Sequence, residues 1–258
     1  MVQERREFFR NFVRSASWLS LEQLKKRFSR IAPFRLRGPG TYFFLGGTMS
    51  GKSTTIKKIL LERKKLIDFR VKDAQGEWIS QPIAEVYYFS GSGFDPSNFH
   101  ELEKSGVKFV TNRCPSPSEL VELTSDALPR IIVLDDLMRE ILEQEGFVDI
   151  FTKVVHHSNI MLFVTQQVLF PRQKQAIALR NNVQGFFLFK FATQRHAVSL
   201  FLSKFLDRKK LSTLLDFYDK CISESGGYVF INTHPQQTTK TDTFYTDITA
   251  ASTHFITV

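Results

Sequence analysis

The chain has 258 residues, 42% of them apolar and 26 of them Phe, enough for a substantial core and unlike a disordered polymer. Its two cysteines, Cys114 and Cys221, lie far apart with no CxxC pairing, which argues against a disulfide framework or a zinc site and fits a reducing intracellular compartment. No apolar run approaches the roughly 20 residues of a bilayer span, since Met161–Val164 runs into Thr165-Gln166-Gln167; a soluble protein without a membrane partner is expected.

The formal charge of +9 is concentrated at one end. Residues 1–40 hold Arg5, Arg6, Arg10, Arg14, Lys25, Lys26, Arg27, Arg30, Arg35 and Arg37 against Glu4, Glu7 and Glu22, a net +7. Phe8 and Phe12, then Phe9, Val13 and Ala16, recur at helical spacing, and Ser20-Leu21-Glu22-Gln23 reads as a capping box that opens a second helix. Leu21, Leu24, Phe28 and Ile31 form its apolar stripe, and Pro33 with Gly38-Pro39-Gly40 marks a boundary. The spacing predicts a basic helical arm over 1–39, suited to a polyanion such as nucleic acid, to an acidic protein surface, or to no more than solvent.

Next comes an apolar run, Tyr42–Leu45, feeding Gly46-Gly47-Thr48-Met49-Ser50-Gly51-Lys52-Ser53 and then a helical pattern beginning at Thr54. This is a phosphate-binding P-loop with a strand before it and a helix after it. Gly46 and Gly51 allow a turn tight enough for successive N–H groups to face phosphate oxygens, and the helix presents its positive end to the same anion. Residues 46–54 are therefore read as the nucleotide-binding segment. Lys52 would reach the β and γ phosphates, and Ser53 would offer its hydroxyl to Mg²⁺.

The helix is expected to run to Leu66, ended by a polar stretch with Asp73, Gly76 and Pro82. Strands follow at 85–91 and 107–112, separated by an Asp95-Pro96 helix start, and Ser116-Pro117-Ser118-Glu119 forms another capping box. Ile131–Leu134 then delivers Asp135 and Asp136 to a strand end, a Walker B pattern: Asp135 would share the Mg²⁺ shell with Ser53, and Asp136 would orient or deprotonate the attacking water. A helix from about Leu137 to His157, a strand at 159–167, further strands at 185–191 and 227–232 and a helical pair between them complete the body. His156 and His157 read as helix-end cations. Gln166, near the end of its strand, is the candidate γ-phosphate or water sensor. Arg172 and Arg180, and less so Arg139, are candidates for an arginine acting on a neighbouring subunit's phosphate.

Alternating strands and helices predict an α/β three-layer fold with a parallel-dominated central sheet. Two strands fall between the Walker motifs, which suits the additional-strand, RecA-like class of P-loop NTPase. The assigned organisation is 1–39 arm, 40–232 ATPase domain, and 233–258 polar Thr-rich tail or edge hairpin.

Several runs extend beyond the Walker motifs: LDDLMRE, FTKVVHHSNIMLFVTQQVLFPRQ and ALRNNVQGFFLFKF. Over about residues 40–232 they resemble the genome-packaging ATPases of the FtsK–HerA superfamily, above all those of poxvirus and Maverick/Polinton type. That resemblance implies ATP and Mg²⁺ as substrate and cofactor, a homo-oligomeric ring, double-stranded DNA as the translocated polymer, and a capsid or portal-vertex protein as partner. Many members carry Glu where this chain has Asp136. A GTPase is disfavoured because no Asn-Lys-x-Asp run occurs, and a nucleotide kinase by the two intervening strands. A nucleotide-dependent switch, or a DNA-translocating ATPase or helicase outside packaging, remains the alternative.

Overall fold

A computed structural model describes residues 34–91, 99–126, 128–151, 155, 158–171, 179, 182–205, 208–234, 244–246, 248 and 254–256. Residues 1–33, Asp95-Pro96, His156-His157, Arg172 and Arg180 lie outside the described residues.

The strands are β1 (Leu36–Gly38), β2 (Gly40–Leu45), β3 (Ile67–Lys72), β4 (Trp78–Ser80), β5 (Glu85–Ser90), β6 (Val107–Thr111), β7 (Arg130–Asp135), β8 (Ile160–Gln166), β9 (Val183–Phe189), β10 (Tyr228–Asn232), β11 (Phe244–Thr246) and β12 (His254–Ile256). The helices are α1 (Lys52–Leu61), α2 (Arg63–Leu66), α3 (His100–Lys104), α4 (Pro117–Glu122), α5 (Met138–Glu143), α6 (Phe147–Asp149), α7 (Arg195–Leu202) and α8 (Arg208–Cys221). Nine strands form one sheet in the order β12-β11-β10-β9-β2-β8-β7-β5-β6. The six from β9 to β6 are parallel, and β10, β11 and β12 extend the sheet antiparallel.

Every residue of β2, β7, β8 and β9 is buried, as expected for parallel strands covered on both faces. Side chains alternate between two cores. Tyr42, Phe44, Val133 and Phe163 pack with Ile56, Ile59 and Leu60 of α1. Phe43, Leu45, Leu134 and Val164 pack with Ile141 of α5 and with Phe201 and Tyr218 of α7 and α8. Helices on both faces of a mostly parallel sheet make the mixed α/β three-layer arrangement.

One strand does separate β2 from β7, as the additional-strand reading requires, but it is β8. The two strands of this sheet between the Walker motifs, β5 and β6, lie on the far side of β7. The chain leaves β2 for that side and returns through β8 before crossing to β9, so β2 sits at the reversal of strand order, where a ligand crevice opens at the carboxyl ends.

Four expectations are corrected. The helix after the P-loop does not run to Leu66: it stops at Leu61, Glu62 departs from helical geometry (φ −97°, ψ 18°), and a single turn follows. Residues 67–72 are a strand, alternating buried Ile67, Phe69 and Val71 with more exposed Asp68, Arg70 and Lys72, a period-two signal hidden beside a Lys-rich helix. That strand pairs in parallel with Leu36–Gly38, so these residues of the expected arm belong to a small sheet of order β1-β3-β4. Finally, the helix expected from Leu137 breaks after Glu143, where Gln144 is extended and Gly146 takes a left-handed φ of 92° before α6. The Ser116 cap is as read, its hydroxyl accepting from the Glu119 N–H at 3.1 Å.

At the entering end of β5 and β7, Arg130 pairs with Glu85 at 2.6 Å and with Asp126 at 2.6 Å through Nη2. Glu85 stands opposite Arg130 in the register that also sets Ser90 opposite Asp135, so this ion network helps fix two site residues five positions away. Hydrogen bonds from Lys108 and then Arg130 hold the Glu85 carboxyl down at about 2, and Arg130 holds Asp126 down to about 2. With folded values below the unfolded ones of about 4, these acids add stability that is complete above pH 4 to 5 and lost as pH falls toward 2. Urea midpoints measured from pH 5 to pH 2 should therefore fall steeply in the parent, and less steeply in Arg130→Met, which starts lower.

Candidate functional site

The carboxyl ends of β2, β5, β7 and β8 meet at a cleft lined by Thr48, Met49, Lys52, Ser53, Ser90, Gly91, Asp135, Asp136, Thr165 and Gln167. The loop from Gly46 is tied to both neighbours of β2: the Gly46 N–H donates to the Gln166 carbonyl at 3.1 Å and the Gly47 N–H to the Lys190 carbonyl at 3.0 Å. At its end Gly51 caps α1 with φ 101°, and a Cβ there would come within 2.7 Å of the Gly226 α-carbon. Glycine is thus required twice over at this position, by backbone conformation and by the turn after α8 that presses against the loop. Met49 forms the exposed crest of the loop with φ 58°.

Lys52, the first residue of α1, is only 8% exposed, and its ammonium donates to the carbonyls of Gly46 at 2.9 Å and Gly47 at 2.7 Å. Burial lowers its pKa, while the charges of Asp135 and Asp136 oppose that shift. Ser53 lies half-buried one residue on. Thr54, assigned to nucleotide binding from the sequence, is exposed and does not line the cleft.

The two acids have different settings. Asp135 is 5% exposed and accepts from the Tyr88 hydroxyl at 2.6 Å. Asp136 is exposed, with a left-handed φ of 57°; its N–H donates to the Thr165 hydroxyl at 2.8 Å. Gly91 lets this turn close, since a Cβ at residue 91 would lie 2.6 Å from the Asp136 carbonyl oxygen.

Gln166 does not face the cleft. It is 2% exposed, and its amide donates back to the Val168 carbonyl. Its neighbour takes the place expected of it: the Gln167 amide donates to Asp136 Oδ1 at 2.6 Å and its carbonyl oxygen accepts from Thr48 at 3.1 Å. One side chain thereby ties the P-loop to the second acid. Gln167→Ala should lower turnover about tenfold or more, less than the roughly 10²- to 10⁴-fold of a general acid or base because the glutamine holds the carboxylate and does not take the proton, while Gln166→Ala should act mainly on stability. Steady-state hydrolysis beside thermal denaturation of both variants separates the two, and an activity loss confined to Gln166→Ala would reverse the assignment.

Tyr88, Ser90, Thr165 and Gln167 were not singled out from the sequence. Ser90 carries a further signal, because its hydroxyl is buried and has no hydrogen-bond partner among the described residues. Arg139 is exposed and pairs with Glu143 at 2.9 Å, one helical turn along α5 and outside the cleft lining. Among the described residues no cluster of His, Cys, Asp and Glu suits a metal, and no helix is long and apolar enough to cross a membrane. Cys114 is partly buried and Cys221 buried.

No family model and no curated protein matches this chain. Among solved structures, B204, the DNA-packaging ATPase from Sulfolobus turreted icosahedral virus, superposes with a TM-score of 0.46 at 13% identity, over 77% of this chain and 94% of that one. The cytoplasmic domain of EssC gives 0.43 at 16% identity, over 63% of this chain and 33% of that one. Thermomonospora curvata EccC (ATPases 2 and 3) gives 0.45 at 13%, over 86% and 38%. This chain spans about a third of each of the latter two. All three TM-scores lie below 0.5, and the cleft's own residues carry the reading that follows.

Proposed function

We propose that this chain is a Mg²⁺-dependent ATPase of the RecA-like, additional-strand class, working as a motor that translocates double-stranded DNA into a viral capsid. The observation that carries the ATPase part is the convergence on one sheet edge of a glycine turn with a buried lysine and a serine at the start of α1, and of two acids at the end of β7.

Phosphate oxygens would enter where successive loop N–H groups and the α1 N-terminus face the cleft. Lys52 would exchange its two loop carbonyls for the β and γ phosphates. The donor set fits a hard divalent cation: a hydroxyl at Ser53, a buried carboxylate at Asp135 and the unpartnered Ser90 hydroxyl beside them offer oxygens only. Ser53 and Asp135 would hold Mg²⁺, which when bound would neutralise charge developing on the transferred phosphoryl group. Asp136 orients and deprotonates the attacking water, and Gln167 holds that carboxylate in register with the loop. The arginine acting from a neighbour is left to Arg172 or Arg180.

The packaging part is supported by the sequence resemblance to the FtsK–HerA packaging ATPases and by the net +7 on residues 1–40, which suits a polyanion. It brings a homo-oligomeric ring and a capsid or portal-vertex partner as further proposals. ATPase assays with and without long duplex DNA, over a range of protein concentration, test both parts. Hydrolysis stimulated by DNA and rising steeply with concentration is expected. Hydrolysis indifferent to both would remove the ring and the DNA while leaving the ATPase; no hydrolysis at all would remove the ATPase.

A further inference from the structure

The cation site assigned above rests on Ser53 and Asp135, and a third side chain holds the acid in place. Tyr88 lies on β5, opposite Val133, and points to the α1 face of the sheet, two residues before Ser90. It is fully buried, and its hydroxyl donates to Asp135 Oδ2 at 2.6 Å.

A carboxylate only accepts, so the phenolic proton is committed to Asp135 Oδ2. We infer that Tyr88 is the positioning residue of the cation site: it holds one oxygen of Asp135 and leaves the other for a cation shared with Ser53. Without the phenol, the buried carboxylate loses the donor that fixes its orientation.

Tyr88→Phe isolates the hydroxyl, because the ring contacts to Phe109 at 5.2 Å and Phe99 at 5.9 Å are available to either side chain. The inference deepens the ATPase reading and rests on it, so the test is made on binding. ADP affinity is titrated in EDTA and at increasing Mg²⁺, and Mn²⁺ bound to the ADP-loaded protein is followed by electron paramagnetic resonance. In Tyr88→Phe the Mg²⁺ concentration for half-maximal effect should rise about 10- to 100-fold, the usual cost of removing a group that orients a metal ligand, with metal-free ADP affinity unchanged. Combined with Asp135→Asn, the loss should fall short of the product of the two single losses, because the phenol acts through that carboxylate. An unchanged Mg²⁺ dependence, an equal loss of metal-free binding, or full additivity with Asp135→Asn would each overturn the inference. A parent protein that binds no ADP under either condition would instead remove the nucleotide reading, and the inference with it.

Discussion

Asp136→Asn should leave ATP binding within about twofold of the parent while turnover falls by roughly 10²-fold or more, the scale of general-base catalysis. The substitution is conservative for a structural reason. Asp136 sits at φ 57° with its N–H held by Thr165, and asparagine tolerates left-handed backbone at least as well as aspartate. The turn should therefore survive, as should a hydrogen bond to the Gln167 side chain once one amide flips. What disappears is the only exposed carboxylate among the cleft-lining residues, and with it the capacity to take a proton from water. Asp135 cannot substitute, since it is buried and already engaged by Tyr88. Nucleotide titration and single-turnover hydrolysis read the two effects separately. Retained turnover would move the base elsewhere, and a matching loss of binding would make Asp136 a phosphate or cation ligand instead.

The parts of the site legible in the sequence are those whose geometry is local. Gly46 to Ser53 is one continuous turn entering a helix, so its residue order alone specifies which N–H groups converge. Ile131–Leu134 followed by two acids likewise announces a buried strand ending at a polar edge. Tyr88 and Ser90 were not legible in this way, because their significance depends on β5 lying beside β7, and nothing within EVYYFS says which strand is its neighbour. The small β1-β3-β4 sheet was missed for a related reason: its first pair joins Leu36–Gly38 to Ile67–Phe69 across the whole P-loop unit.

The glutamine assignment failed on parity. Along β8 Met161 and Phe163 face the α1 core while Leu162 and Val164 face the other, so Thr165 falls on the α1 side and Gln166 away from it. Phe44 opposite Thr165 and Leu45 opposite Gln166 complete that register. The alternation was present in IMLFVTQQ, but choosing the cleft side required knowing which face α1 covers. Gln167, just past the strand, has the side the site needs.

Lys52→Ala should abolish measurable hydrolysis and weaken ATP binding by about 10- to 100-fold, the equivalent of losing one to two charge-assisted hydrogen bonds. Unlike Asp136→Asn, it should do so in EDTA as well as in Mg²⁺, because the lost ammonium pairs with phosphate directly and not through a cation. The fold should tolerate the change. Lys52 donates to the Gly46 and Gly47 carbonyls, but the lysine itself lines the cleft, so cutting it back leaves space for water in its place. Removing an ammonium whose burial already lowers its pKa also relieves a desolvated charge. The glycine turn itself is set by Gly51 at φ 101° and by its contact with Gly226, neither of which involves the lysine. The variant should consequently melt within a few degrees of the parent. Comparing thermal midpoints with ATP titrations in both buffers checks this, and a Lys52→Ala protein that still hydrolyses ATP would show that the phosphate chain lies outside the P-loop.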